Sequence, residues 1–113
     1  MIKKRELRKE LIESKISRIT ESLQFIEENL PDEFNNFNAS KIIKNAVYKE
    51  VEFAIENVID ICSIINSDLR LGLLETEDSI FEHIKNKNII NKETIGLIEE
   101  MKRFRNILVH KYG

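Results

Sequence analysis

A chain of 113 residues with 42% apolar and 34% charged side chains can bury one core, and residues 1–113 are read as a single domain. Three glycines and one proline suit long helices better than a sheet with many tight reversals. The formal charge of −2 does not mark a nucleic-acid binder, one cysteine excludes an intrachain disulfide, and Cys62, His83 and His110 make no convincing zinc set, so no metal or cofactor is expected.

No run approaches the roughly 20 apolar residues of a bilayer span, and Met1 to Arg5 lacks the apolar block of a signal peptide, so a cytoplasmic, membrane-free protein is expected. The charge is uneven. Residues 1–10 hold five basic and two acidic side chains, residues 101–113 hold four basic and none acidic, and residues 66–84 are acidic. If the two ends meet in space, they form a local basic surface.

Leu7, Leu11, Ile16, Ile19, Leu23, Ile26 and Leu30 recur at mostly three- and four-residue steps, which predicts a first helix from about Lys3 to Asn29. Pro31 stops it, and residues 31–39 form a connection. Ser40 caps a second helix that runs to about Asn66, apolar nearly all round in its second half and therefore the central or interface helix. Cys62 reads as a small core residue within it. Residues 67–75 form a loop in which Gly72 supplies unusual backbone angles, and Thr76 caps a short helix carrying Ile80, Phe81 and Ile84, with His83 on its surface. Asn91 caps a last helix whose inward set is Ile95, Ile98, Met101, Phe104 or Arg105, and Leu108. The fold class is all-α, an up-and-down bundle of about four helices.

Chemistry concentrates at the end. Arg105, Asn106, His110 and Tyr112 supply a rigid cationic fork, an amide, an imidazole suited to proton transfer and a phenol within eight residues. At about 100° per residue, Asn106 and His110 lie roughly 40° apart, so the amide can orient the imidazole, whereas Arg105 and His110 differ by about 140° and converge only at a cleft edge, a loosened helix end or a dimer seam. Arginine plus histidine suits metal-free RNA cleavage, in which a base takes the 2′-hydroxyl proton and a cation steadies charge on the phosphate. The competing structural explanation pairs Arg105 with Glu56 or Asp60 and leaves His110 as a favourable cation at a helix C-terminus. Glu56 and Asp60, four apart, share a face where they could hold Arg105 or raise the pKa of His110, or form a solvated face with Lys49 and Glu52. Lys102 and Arg103 suit RNA phosphates and a helix C-terminus equally well.

The segment Arg105-Asn106-Ile107-Leu108-Val109-His110-Lys111-Tyr112 resembles the Arg-x4-His-x-Tyr motif of HepT toxins in the HEPN superfamily, and Ala54 to Asp60 resembles the core helix of that family. The resemblance implies a homodimeric ribonuclease with Arg105 and His110 catalytic. It also implies Tyr112 as the acceptor of AMP from an MNT nucleotidyltransferase antitoxin, and RNA, transfer RNA in particular, as substrate. Two departures stand beside it. Such chains continue past the motif into another helix whereas this sequence stops at Gly113, so apolar surface left open or a weakened dimer is expected. Tyr48 and Lys49 also stand where a glutamate-arginine pair is common, which argues against RNA contact by that helix. A dimeric, non-catalytic adaptor or nucleotide-sensing partner of a nucleotidyltransferase is the alternative function.

Overall fold

The computed structural model describes residues 6–112, the side chain of Tyr112 excepted, so the basic run at residues 1–5 lies outside the described residues. Five helices follow in order, α1 (Lys9–Asn29), α2 (Phe34–Ala39), α3 (Lys41–Asp68), α4 (Glu77–Asn86) and α5 (Lys92–Tyr112), with no strand among the described residues. The first helix therefore begins later than its apolar spacing suggests. The loop expected over 31–39 contains one short helix, whose Phe37 ring packs edge-on against Tyr48 at 5.9 Å. None of the five is long and apolar enough to cross a membrane.

The cap residues act as their chemistry dictates. The Ser40 hydroxyl accepts from the Ile43 amide, Thr76 and Ser79 exchange bonds in a capping box, and the Asn91 side chain accepts from the Thr94 amide. The C-terminal ends depart from expectation. Gly72 does not take a left-handed angle; that conformation falls to Arg70 (φ 53°) and Asn88 (φ 55°). In both places the amide of that residue and the one after it bond back to the helix, Arg70 to Ser67 and Leu71 to Asn66, then Asn88 to Lys85 and Ile89 to Ile84, which closes the last turns of α3 and α4. Gly72 is needed for a different reason: a Cβ there would sit 2.6 Å from His83 Nδ1.

His83 is therefore no mere surface residue. Asn66, wholly buried, donates from Nδ2 to the Gly72 carbonyl at 2.9 Å, and its Oδ1 lies 2.9 Å from His83 Nδ1. With its amide hydrogen already given to Gly72, Asn66 presents an acceptor to the imidazole, which fixes the proton on His83 Nδ1. One buried amide thus ties α3, the loop and α4 together.

Two antiparallel pairings along α3 build the bundle. On one flank Arg8 pairs with Asp68 at 2.9 Å and Lys15 with Asp60 at 3.0 Å. Extending the same register by two turns brings Ser22 to the level of Ala54, and both are small and buried, which suits a close approach of α1 and α3. On the other flank Ile55, Ile59, Cys62 and Ile65 pack with Ile80, Phe81 and Ile84 of α4 and Ile95 and Ile98 of α5. The core therefore sits towards the C-terminal half of α3. The remainder of α1 and α3 extends past it, giving a molecule 60 Å long and about 25 Å wide.

Because an L-residue at a left-handed position is strained by roughly 1–2 kcal/mol, Arg70→Gly is expected to raise stability by about 1 kcal/mol, read as a higher urea midpoint at unchanged slope. Burial pushes the Cys62 thiol up from 9.0 to about 11. The folded state thus holds this proton more tightly than the unfolded chain does. Its contribution is constant below pH 9.0 and falls away as pH rises towards 11. Cys62 should react with a thiol reagent at pH 8 only as fast as the protein opens; labelling at the rate of an unfolded control would contradict its burial.

Candidate active site

The motif is helical throughout, since α5 extends through Tyr112, and the two residues of its cationic and acid-base chemistry face different surroundings. Arg105 turns inward with its side chain only 14% exposed, whereas His110, about 7.5 Å further along the helix axis, is exposed. The Tyr112 side chain lies outside the described residues.

Arg105 is anchored by a carboxylate that the sequence reading did not single out. Its Nη2 donates to Glu77 Oε1 at 2.7 Å and its Nη1 to Glu77 Oε2 at 3.0 Å, the two-pronged geometry that matches a guanidinium to a carboxylate. On its other edge, Nε and Nη2 both donate to Asn106 Oδ1, at 3.2 and 2.8 Å. The Asn106 amide, expected to orient His110, thus has its oxygen committed to Arg105. Hydrogen bonding to Glu77 holds the guanidinium above its ordinary pKa; burial opposes this, and the charges of Glu77, Glu56 and Glu52 reinforce it.

The helix-α3 carboxylates divide between two sites, which corrects the expectation that Glu56 and Asp60 act together. Glu56 bears on Arg105 through its charge, while Asp60 is taken by Lys15 of α1. A rotation of about 40° between the two positions is enough to turn Asp60 towards the α1 flank. Arg105 consequently pairs with neither of them, and the partner that the structural explanation assigned to it is replaced by Glu77. Lys49 pairs with Glu52 at 3.7 Å, as on the solvated face described above.

Local folding explains why Glu77 arrives where it does. It opens α4 directly after the Thr76 cap, with Asp78 beside it, and two acids in a first turn are favoured by the helix dipole. Both then reach α5, Glu77 to Arg105 and Asp78 to Lys102 at 2.8 Å, so two adjacent acids meet two bases three residues apart. A Thr-Glu-Asp-Ser cap followed by a basic helix end carries that signal in sequence, but nothing local says that the two helices meet.

The expected basic surface does not form from the described residues. Arg8 is held at Asp68 and Arg105 beside Glu56, positions separated by roughly 18 Å of helix. Among the described residues no three His, Cys, Asp or Glu side chains converge as a metal centre requires. The broad surface hollows lie elsewhere, one beside Leu7, Leu11 and Leu69 and another beside Asn66, Arg70 and Leu73.

Comparison with known proteins agrees with this architecture. No curated protein is a significant match to the sequence. Three solved structures superpose on the chain. A toxin–antitoxin crystal structure with AMP-PNP gives a TM-score of 0.82 at 24% identity over 90% of this chain and 76% of that one, a likeness of fold. A mutant MntA–HepT toxin–antitoxin structure gives 0.81 at 25% identity over 91% of this chain and 78% of the other. The tri-AMPylated Shewanella oneidensis HEPN toxin in complex with MNT antitoxin gives 0.82 at 25% identity, covering 91% and 77%. The model of the family described as ribonuclease HepT-like matches residues 19–113, which takes in α3, α4 and the whole Arg105 to Tyr112 motif. With a backbone that superposes on a HEPN toxin at a TM-score of 0.82 and a family match over residues 19–113, the chain belongs to the HepT-like ribonuclease family.

Proposed function

We propose that the chain is a ribonuclease toxin that works as a homodimer on RNA, transfer RNA being the expected substrate, and that an MNT-type nucleotidyltransferase silences it by adding AMP to Tyr112. The observation that carries this reading is the contrast within the motif: a guanidinium fixed on two edges, and an exposed imidazole little more than one turn further along. A rigid cation suits charge stabilisation, and an accessible histidine suits proton transfer.

In the proposed reaction His110 takes the proton of a ribose 2′-hydroxyl. The freed oxygen attacks the adjacent phosphorus, the bond to the 5′-oxygen breaks, that oxygen takes a proton from water as it leaves, and the His110 imidazolium returns its own proton to solvent. Arg105 bears the charge that gathers on the phosphate. The products are a 2′,3′-cyclic phosphate and a 5′-hydroxyl end, and no metal is needed because RNA supplies its own nucleophile. A dimer is supported by the apolar strip on α5, where Leu97, Met101, Phe104 and Ile107 are 38–55% exposed. Adenylylation is supported by the AMP-bearing toxin among the similar structures. AMP on Tyr112 would add bulk and negative charge two residues past His110, where both oppose entry of a polyanion.

The non-catalytic adaptor reading draws on a specific observation too: Glu52, Glu56 and Glu77 surround Arg105, a negative setting for a phosphate. Cleavage assays decide between the two. His110→Ala and Arg105→Ala are each expected to lower cleavage of total transfer RNA by at least about 100-fold. His110→Ala should leave stability within about 0.5 kcal/mol, because the side chain is exposed. Co-expression with an MNT-type nucleotidyltransferase should add AMP masses that Tyr112→Phe abolishes. Cleavage undiminished in both alanine variants would sink the catalytic reading and leave the adaptor.

A further inference from the structure

The ion pair between α4 and α5 leaves Arg105 with very little freedom. A guanidinium has five N–H donors. Four are occupied, two by Glu77 and two by Asn106, so a single Nη1 hydrogen remains unassigned. The neighbouring Lys102–Asp78 pair joins the same two helices but is of another kind, since Asp78 is 71% exposed and Lys102 offers a point charge with no defined plane. Docking of α4 on α5 is also supplied by the buried contacts of Ile80, Phe81 and Ile84 with Ile95 and Ile98. The Glu77 contact is therefore more specific than helix docking requires.

We propose that Glu77 is a positioning residue for the ribonuclease reaction: with Asn106 it fixes the plane of the Arg105 guanidinium and leaves the free Nη1 hydrogen as the donor to a phosphate oxygen of RNA. The proposal rests on the ribonuclease reading above. Glu77 touches no substrate and acts only through Arg105. Its place is set by the Thr76–Ser79 capping box, which makes it the first residue of α4. A guanidinium already held in its plane needs no reordering when charge develops on the phosphate, which is the advantage of a preorganised donor. The alternative role of the same contact is a latch in which Glu77 competes with RNA for Arg105. The two roles predict opposite signs when Glu77 is removed.

The test compares the full chain with Glu77→Ala, Glu77→Gln, Arg105→Ala and, as a control for helix docking, Asp78→Asn, each checked for thermal unfolding. Steady-state cleavage of a defined RNA hairpin gives kcat and KM. Nitrogen-edited NMR follows the Arg105 Nη–H signals, which report the bonds to Glu77 and are identified by their loss in Arg105→Ala. Glu77→Ala should lower kcat roughly 10- to 100-fold with KM within about twofold, the range expected when a reacting group is displaced by an ångström or so. Glu77→Gln, which keeps one acceptor, should recover part of that loss, and Asp78→Asn should cleave normally. The Nη–H signals should exchange slowly in the wild type and in Asp78→Asn, and exchange fast in Glu77→Ala. Glu77→Ala that cleaves as well as or better than the wild type overturns the positioning role, and unchanged Nη–H signals in that variant overturn the clamp. If the wild type itself leaves RNA intact while its Nη–H groups remain protected, the ribonuclease reading falls and the catalytic purpose of Glu77 falls with it, while the pairing stands.

Discussion

A single long helix has to be covered on two sides, and the rest of the structure follows from that constraint. α3 runs from Lys41 to Asp68 and carries apolar residues around more than half its circumference over its second half. One amphipathic helix cannot cover so wide a surface. α1 takes one flank, in a register held by two ion pairs, and α4 with α5 takes the other. The flank that α5 occupies brings Arg105 beside Glu52 and Glu56, so the helix that organises the core also sets the electrostatics of the site.

The site lies beyond the dense core, close to where α4 begins. That location has a physical use. Buried residues behind it, Ile80, Phe81, Ile84, Ile95 and Ile98, hold the two helices rigidly, while the last turn of α5 projects His110 into solvent. The ribonuclease reading proposed above would need a fixed cation and an accessible histidine, and a helix that leaves the core partway through the motif offers both. Loop 67–75, secured by Asn66 and His83, determines where α4 starts and therefore where Glu77 sits. A residue outside the motif thereby contributes to the geometry of the motif.

The balance of charge near Arg105 deserves weighing against its role. One cation beside three carboxylates is a weaker lure for RNA than a bare basic patch, and the chain as a whole is slightly acidic. Long-range attraction is therefore small. Under the proposed function, affinity for RNA would have to come from short-range contacts, among them the residual donor of Arg105, and from what a second copy would add across the apolar strip of α5. Charge held in place is worth more to a transition state than charge that merely attracts, because attraction binds the ground state equally well.

Much of this was legible in the sequence, for identifiable reasons. Helix type, the Ser40, Thr76 and Asn91 caps, the stop near Pro31 and the chemistry of Arg105 to Tyr112 are local properties, encoded by the spacing of apolar residues and by side chains that bond to their own backbone within three or four positions. What sequence could not supply depends on which helices meet. Asp60 turned to Lys15, His83 became a strut for Asn66, the left-handed position moved from Gly72 to Arg70, and Arg105 found Glu77, 28 residues away, in place of Glu56. Each of these is a contact between elements whose relative rotation is fixed by packing the α3 core, and a pattern that repeats every three or four residues carries no information about that rotation.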